Sequence, residues 1–231
     1  MGARFMKNNI LITAGLTGIG KEISKLLAGN GFNTYHTTSR IDQVDEQTFY
    51  WNMKDLNSSK DLITQLKNKN IHIDGLIHCA HIFSPAQPIF GINSKTFSES
   101  LLTNILPCFE LSKGLAKLMA RRNYGRIIFI GSMAAIKGSP GKLSYIVEKN
   151  ALNGLAVAFN SELKEKNVLT KILHPGLTDT EQIRKRLKQE ILDIIGEDNL
   201  LSPLDVANKV HYLLKNSEQQ TIFHMGDEQS W

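Results

Sequence analysis

Ile10-Leu11-Ile12-Thr13 is a short branched apolar run that passes directly into Ala14-Gly15-Leu16-Thr17-Gly18-Ile19-Gly20 and then into Lys21-Glu-Ile-Ser-Lys-Leu-Leu-Ala28. The run has the length and branching of a buried strand. Past the glycines, Ile23, Leu26 and Leu27 fall at helical spacing. Glycine lets a main chain come close to a pyrophosphate, and the free amides and dipole of a helix start attract the anion. A glycine trio alone also marks an ordinary tight turn. Its position between a strand and a helix favours dinucleotide binding over a bare turn.

The rest of the chain repeats that strand-to-helix rhythm. Residues 31–38, 48–52, 74–80, 126–132, 168–174 and 220–225 read as further strands. Helical spacing starts at Ser58, which caps a helix through Leu62, Ile63 and Leu66. A long helical stretch over 95–122 is interrupted near Pro107, where a kink is expected. Such alternation predicts an α/β fold of the Rossmann type, a doubly wound parallel sheet of about seven strands with helices on both faces. Reactive groups then belong beyond the carboxyl ends of the strands, where Gly15, Ser132 and Pro175 fall. No repeat, low-complexity tract or linker divides residues 1–231, which read as one domain with a loose extension over 1–8.

Ser144-Tyr145-Ile-Val-Glu148-Lys149 places a phenol and an ammonium one helical turn apart, and Ser132 ends the apolar run before them. Residues four apart share a helix face, so Lys149 can lie beside the ring of Tyr145. A nearby cation favours the phenolate and lowers a pKa that is otherwise about 10. A hydroxyl tuned in this way can exchange a proton with a carbonyl oxygen. Ser132 would hydrogen-bond the same oxygen. By itself the spacing favours an ordinary amphipathic helix with an exposed tyrosine and lysine.

Taken together, these residues resemble the short-chain dehydrogenases/reductases in their single-domain form. Thr13 through Gly20 matches their Thr-Gly-x-x-x-Gly-x-Gly signature, with Ala14 in place of the first glycine. The family's catalytic Asn, Ser, Tyr and Lys correspond to Asn104, Ser132, Tyr145 and Lys149. The resemblance implies that Asn104 steadies a helix kink and a water that relays protons to Lys149. It implies that Lys149 also bonds the nicotinamide ribose. Pro175-Gly176-Leu177-Thr178-Asp-Thr180 is similar to the Pro-Gly segment whose threonine reaches the cofactor's phosphate and carboxamide side, and Asp55-Leu56 to the acidic pair that touches adenine. Where the family carries Asn-Asn-Ala-Gly, lining the adenosine ribose, this chain reads His78-Cys79-Ala80-His81. Glu148 stands where a small residue usually precedes the lysine; it either faces solvent or sits close enough to affect Lys149.

The end of the second strand decides between cofactors. An acidic residue there would bond a ribose 2′-hydroxyl, whereas an arginine would accept a 2′-phosphate. The chain reads Thr38-Ser39-Arg40, with no carboxylate until Asp42, so NADP(H) is expected over NAD(H). The alternative is that Arg40 is a solvent-facing loop residue.

At 231 residues and 42% hydrophobic, the chain can bury one substantial core. No apolar run approaches the roughly 20 residues of a membrane-spanning helix, and residues 1–7 are too short and polar for a secretory leader. A cytoplasmic enzyme is expected. Cys79 and Cys108 read as free buried thiols. A metal site at His78, Cys79 and His81 is disfavoured, because neighbours on a strand face opposite sides. The dispersed positive charge, with no aromatic platform, argues against nucleic acid.

Residues 180–202 form the family's variable lid, here an amphipathic helix with a basic start. Together with Gly125-to-Ser132 and Thr221-to-Gly226, the pattern most resembles beta-ketoacyl-acyl-carrier-protein reductases. That resemblance implies a 3-oxoacyl thioester as substrate and a homo-oligomer, dimer or tetramer. The formal charge of +5 favours anionic partners weakly. Arg121, Arg122 and Arg126 are candidates for docking an acidic acyl carrier protein, or they merely solubilise helix ends. A sugar, steroid or other small secondary alcohol is the alternative substrate class. A cofactor-sensing or scaffolding protein on the same fold is the non-enzyme alternative.

Overall fold

Seven parallel strands in the order β3-β2-β1-β4-β5-β6-β7 form the centre of the computed structural model, which describes residues 8–187, 196, 199–218 and 220–226. The strands are β1 (Asn9–Thr13), β2 (Asn33–Thr38), β3 (Thr48–Tyr50), β4 (Gly75–His78), β5 (Gly125–Ile130), β6 (Val168–Pro175) and β7 (Ile222–Met225). The helices are α1 (Gly18–Gly29), α2 (Asn57–Asn68), α3 (Ser94–Asn104), α4 (Leu106–Arg121), α5 (Ala134–Lys137), α6 (Leu143–Leu163), α7 (Glu181–Arg186) and α8 (Pro203–Lys215).

Period-two alternation assigns each strand residue to one of two cores. Leu11, Leu76, Ile127, Phe129 and Ile172 face α2, α4 and α6, where they meet Leu62, Leu111, Leu115 and Leu152. Ile10, Ile12, Ile77, Ile128 and Leu173 face α1 and α8, where they meet Ile23, Leu27, Val206 and Val210. Sheets covered on both faces need apolar residues at every position, which is why the strands read as continuous runs. Each such side chain contributes about 1.5–3 kcal/mol on burial.

The boundaries differ from the sequence reading where the chain bends away to build the site. β4 stops at His78, because the amides of Cys79 and Ala80 turn to Thr13 Oγ1 at 2.9 and 3.0 Å. The long helix is two helices separated at Ile105, so the break falls before Pro107, which sits in the first turn of α4. Proline lacks an amide hydrogen and clashes with the carbonyl four residues back, but at a helix start neither cost arises. Ser58 lies inside α2 and its hydroxyl accepts the Asn52 amide at 2.8 Å, fastening the preceding loop instead of capping the helix. The lid helix is described over Glu181–Arg186; residues 188–195 of the expected stretch, and 1–7 of the expected extension, lie outside the described residues. Among the described residues no helix is long and apolar enough to cross a membrane.

Candidate active site

The carboxyl ends of β1, β2, β5 and β6 share one edge of the sheet, and the chemistry-bearing residues collect there. A side chain at Gly15 would put its Cβ 2.6 Å from His36 Cδ2, and one at Gly20 would put it 2.5 Å from the Ala14 carbonyl oxygen. Neither position has room for a side chain, so the turn packs closely against His36 and against its own backbone. Ala14 takes the left-handed conformation at φ 52° that would suit a glycine. Thr17 stands before the helix without capping it, and Lys21 is the first amide to bond backward, to Thr17 at 3.1 Å. The amides of Gly18, Ile19 and Gly20 have no acceptor among the described residues. Three free donors at an uncapped helix start fit a phosphate group. The space over Gly18 faces the methyl of Thr180, 3.8 Å from where a Cβ would lie.

Most of the residues the sequence assigned to cofactor contact follow the carboxyl ends of strands at this edge of the sheet. Thr13 Oγ1 bonds the Cys79 and Ala80 amides and meets His78 Nδ1 at 3.2 Å, so one hydroxyl ties β1 to β4. Ser39 and Arg40 follow β2, exposed, with the Arg40 amide on Thr38 Oγ1 at 3.1 Å. Pro175 ends β6, and the Gly176 amide bonds Met225 at 2.7 Å. Leu177 accepts the Leu201 amide at 2.8 Å, Thr178 Oγ1 donates to the Gly176 carbonyl at 3.1 Å, and Thr180 caps α7 through the Ile183 amide at 3.3 Å. Asp55 and Leu56 lie exposed at the start of α2, with Asp55 accepting the Asn57 amide at 3.0 Å.

Ser132 follows β5, and its hydroxyl faces the Tyr145 hydroxyl from α6 closely enough to lower the phenol's pKa. Burial pushes the Tyr145 pKa up, Ser132 and the Arg186 guanidinium pull it down, and Glu148 raises it. Here the structure corrects the expectation that Lys149 lowers the phenol's pKa. The ammonium lies 5.7 Å from the Tyr145 ring centroid and donates to the Ile130 carbonyl at 2.9 Å. A buried ammonium is drawn to the strand-end carbonyl that can accept from it. Burial lowers the Lys149 pKa to about 8, with Cys108, Cys79 and Glu148 opposing. Asn104, the last residue of α3, is buried; its Oδ1 accepts the Ile82 amide at 2.8 Å, and its Nδ2 donates to the Ile82 and Ser100 carbonyls at 2.9 and 3.3 Å.

One neighbour of Tyr145, Phe83, carried no sequence signal. Phe83 stacks on the Tyr145 ring at 5.6 Å with planes 14° apart, and the guanidinium of the exposed Arg186 lies over the Phe83 ring, 3.8 Å from its centroid. Phe83 belongs to a loop with no periodicity that could announce it. His81 meets the Tyr145 ring edge-on at 5.1 Å, and its Nε2 lies 2.7 Å from Glu148 Oε2. Glu148 is buried, so of the two sequence alternatives the solvent-facing one is excluded. His78 faces the core between Trp51 and Phe129. Cys79 and Cys108 are free thiols, both raised to about 12 by burial. Among the described residues no group of three or more metal-ligating side chains comes together.

The basic group at Arg121, Arg122 and Arg126 does not flank the cleft. Arg126 lies near the start of β5, at the end of the sheet opposite Ser132. Its guanidinium bonds the Gly125 and Asn167 carbonyls at 2.8 and 3.1 Å, and Arg122 reaches the Ile73 carbonyl at 2.5 Å. These side chains secure the bottom of the sheet.

A family profile described as short chain dehydrogenase matches residues 8–191. A 3-oxoacyl-[acyl-carrier-protein] reductase of Buchnera aphidicola subsp. Acyrthosiphon pisum is 28% identical over 230 residues, covering 94% of each chain. The corresponding reductase of Escherichia coli strain K12 is 23% identical over 215 residues, covering 88% of each. The solved structure of ElxO with NADP bound gives a TM-score of 0.80 at 23% identity, covering 95% of this chain and 96% of that one. That last likeness is one of fold.

Proposed function

The chain belongs to the short-chain dehydrogenase family, and on that footing we propose that it is an NADPH-dependent carbonyl reductase whose substrate is a 3-oxoacyl thioester carried on acyl carrier protein. Membership makes it an NAD(P)-dependent oxidoreductase with a nicotinamide cofactor. The supporting observation is that Tyr145, Ser132 and Lys149 lie together at the same sheet edge as the free amides of Gly18, Ile19 and Gly20. Lys149 Nζ is 5.7 Å from the Tyr145 ring centroid and bonded to the Ile130 carbonyl at the end of β5.

When bound, the nicotinamide supplies the hydride. The first turn of α1 would hold its pyrophosphate, Ser39 and Arg40 a 2′-phosphate, and the segment from Pro175 to Thr180 the nicotinamide end. Ser132 holds the substrate oxygen, and Tyr145 gives it a proton. Burial helps in this direction, since a phenol with a raised pKa stays protonated and ready to donate at neutral pH. The exposed Arg186, over Phe83 beside Tyr145, can meet an anionic carrier. The relatives' names support the thioester, and the setting we infer is cytoplasmic, as a dimer or tetramer.

The test is a substrate panel of 3-oxoacyl thioesters and free ketones with NADPH and NADH, and of secondary alcohols with NADP+ and NAD+. Fastest turnover of the thioester with NADPH is expected. Faster turnover of a sugar or steroid would overturn the substrate, and a preference for NADH the cofactor. Tyr145→Phe is expected to keep NADPH binding while turnover falls at least about 100-fold.

A further inference from the structure

Glu148 takes no part in the chemistry above, yet it is only 1% exposed on the helix that carries Tyr145 and Lys149. Its Oε2 lies 2.7 Å from His81 Nε2, and its Oε1 accepts the Ser100 hydroxyl. One carboxylate thus ties α6 to α3 and to the loop that follows β4. Stability alone does not call for it. Burying a carboxylate is costly, and an apolar side chain of similar size often serves a fold as well or better. What an apolar side chain cannot do is hold an imidazole by one nitrogen.

His81 is held by nothing else polar. Its side chain is 7% exposed, and Nδ1 is buried without a hydrogen-bond partner. Burial above all, with Lys149 adding to it, keeps its pKa down to about 4 against the pull of Glu148. The ring is therefore neutral at physiological pH, and the facing carboxylate fixes its proton on Nε2. So tethered, the imidazole stands across two other rings. It meets Tyr145 at 5.1 Å and 86°, and Phe83 at 4.6 Å and 73°. Phe83 in turn lies flat on Tyr145. The phenol is thereby packed by two rings, and the bond to Glu148 sets the position of one of them.

We propose that Glu148 is a positioning residue for the reduction: acting through His81, it holds the Tyr145 ring at the angle from which the hydroxyl meets the substrate oxygen beside Ser132. The role rests on the reductase reading above. A reacting group must sit within about 0.5 Å and 10–20° of its productive geometry, and side chains locked by packing and by hydrogen bonds of their own supply that precision. The carboxylate also leaves a mark on the proton chemistry that a purely structural group would not. Facing Tyr145 are Glu148 and Lys149 of its own helix, Ser132 after β5, the neutral His81 after β4 and Arg186 of α7. Burial raises the phenol's pKa most; of the charged groups, Glu148 raises it and Arg186 lowers it. Removing the Glu148 charge while keeping its bonds therefore lowers that pKa.

The test measures NADPH-dependent reduction of acetoacetyl-coenzyme A between pH 6 and pH 10, with thermal unfolding to confirm that each variant folds. Glu148→Met keeps the volume and removes both bonds. It should lose about tenfold or more in kcat, with the KM for NADPH within about twofold. Glu148→Gln can keep both bonds, its carbonyl toward His81 and its amide toward the Ser100 hydroxyl, but carries no charge. It should recover most of that kcat at pH 7, while the alkaline limb of kcat moves to lower pH. Adding Glu148→Met to His81→Leu should cost less than about a further twofold, because the tether is already cut. Undiminished kcat in Glu148→Met overturns the role. So does an equal loss in Glu148→Met and Glu148→Gln with the alkaline limb unmoved in both, or a full additional loss in the His81→Leu background. Should Glu148→Met not fold, His81→Leu cuts the same tether from the other end, and undiminished kcat there overturns the role. An unaltered chain that reduces no carbonyl would refute the reductase reading, and this role with it.

Discussion

The Ser132 backbone is held by His174. Nδ1 of the buried imidazole lies 3.0 Å from the Ser132 amide nitrogen and 2.9 Å from the Ser132 carbonyl oxygen, while Nε2 meets Asn153 Oδ1 on α6 at 2.8 Å. With Nε2–H donating to Asn153, a neutral ring must accept the Ser132 amide at Nδ1. A protonated ring would release the amide and donate to the carbonyl instead. One side chain therefore links β5, which positions Ser132, to α6, which carries Tyr145.

Protonating His174 should disturb Ser132 and slow turnover in acid. Burial lowers its pKa below the ordinary value of 6.5, with the Ser132 carbonyl opposing. Turnover should thus hold down to about pH 6.5 and decline only below it. In His174→Gln, whose amide can serve both partners without titrating, that acid limb should vanish. His174→Ala should lose about 10- to 100-fold in kcat with little change in the KM for NADPH. Profiles of kcat between pH 5 and pH 8 check both outcomes.

Gly131→Ala tests the same contact from the other side. A Cβ at Gly131 would lie 2.5 Å from His174 Nδ1, too close for any real atom. The variant should lose roughly 1–3 kcal/mol of stability, the usual cost of overpacking. Removing the imidazole makes room, so Gly131→Ala combined with His174→Ala should cost less than the two single losses added together. Urea denaturation of the three variants measures that coupling.

Arg40 follows β2 in an exposed loop, and its amide bond to Thr38 Oγ1 fixes where the side chain starts. If it meets a 2′-phosphate, Arg40→Ala should raise the KM for NADPH by roughly tenfold and leave that for NADH within about twofold. Equal changes for both cofactors in initial-rate measurements would remove the basis for expecting NADPH.

How much of this could be read from the sequence depends on the distance over which each contact acts. The turn from β1 into α1 and the shared helix of Tyr145 and Lys149 are local, so order and spacing revealed them. The pairing of Glu148 with His81 spans 67 residues and that with Ser100 spans 48, and no pattern along the chain announces either. The destination of the Lys149 ammonium was equally hidden, because a helical spacing brings two side chains near without saying which acceptor wins. The misplaced basic group had a readable signal. Arg126 stands next to the first residue of a strand whose other end carries Ser132, and a parallel sheet keeps its reactive edge at the carboxyl ends.

His78 should make the fold sensitive to acid. It is 2% exposed, its ring lies between Trp51 and Phe129, and its Nδ1 is 3.2 Å from Thr13 Oγ1. Burial, with Lys149 and His81 adding to it, lowers its pKa from 6.5 to about 3. Below pH 6.5 the unfolded chain takes up a proton that the folded chain refuses. Stability is therefore full above about pH 6.5 and falls as the pH drops toward 3. In His78→Asn the polar contact to Thr13 can survive while the titration is gone. That variant should be somewhat less stable at pH 7.5, through the lost ring packing, yet its midpoint should fall less on going to pH 5. Thermal unfolding at the two pH values decides the matter: an equal fall in both proteins would assign the acid sensitivity to other groups.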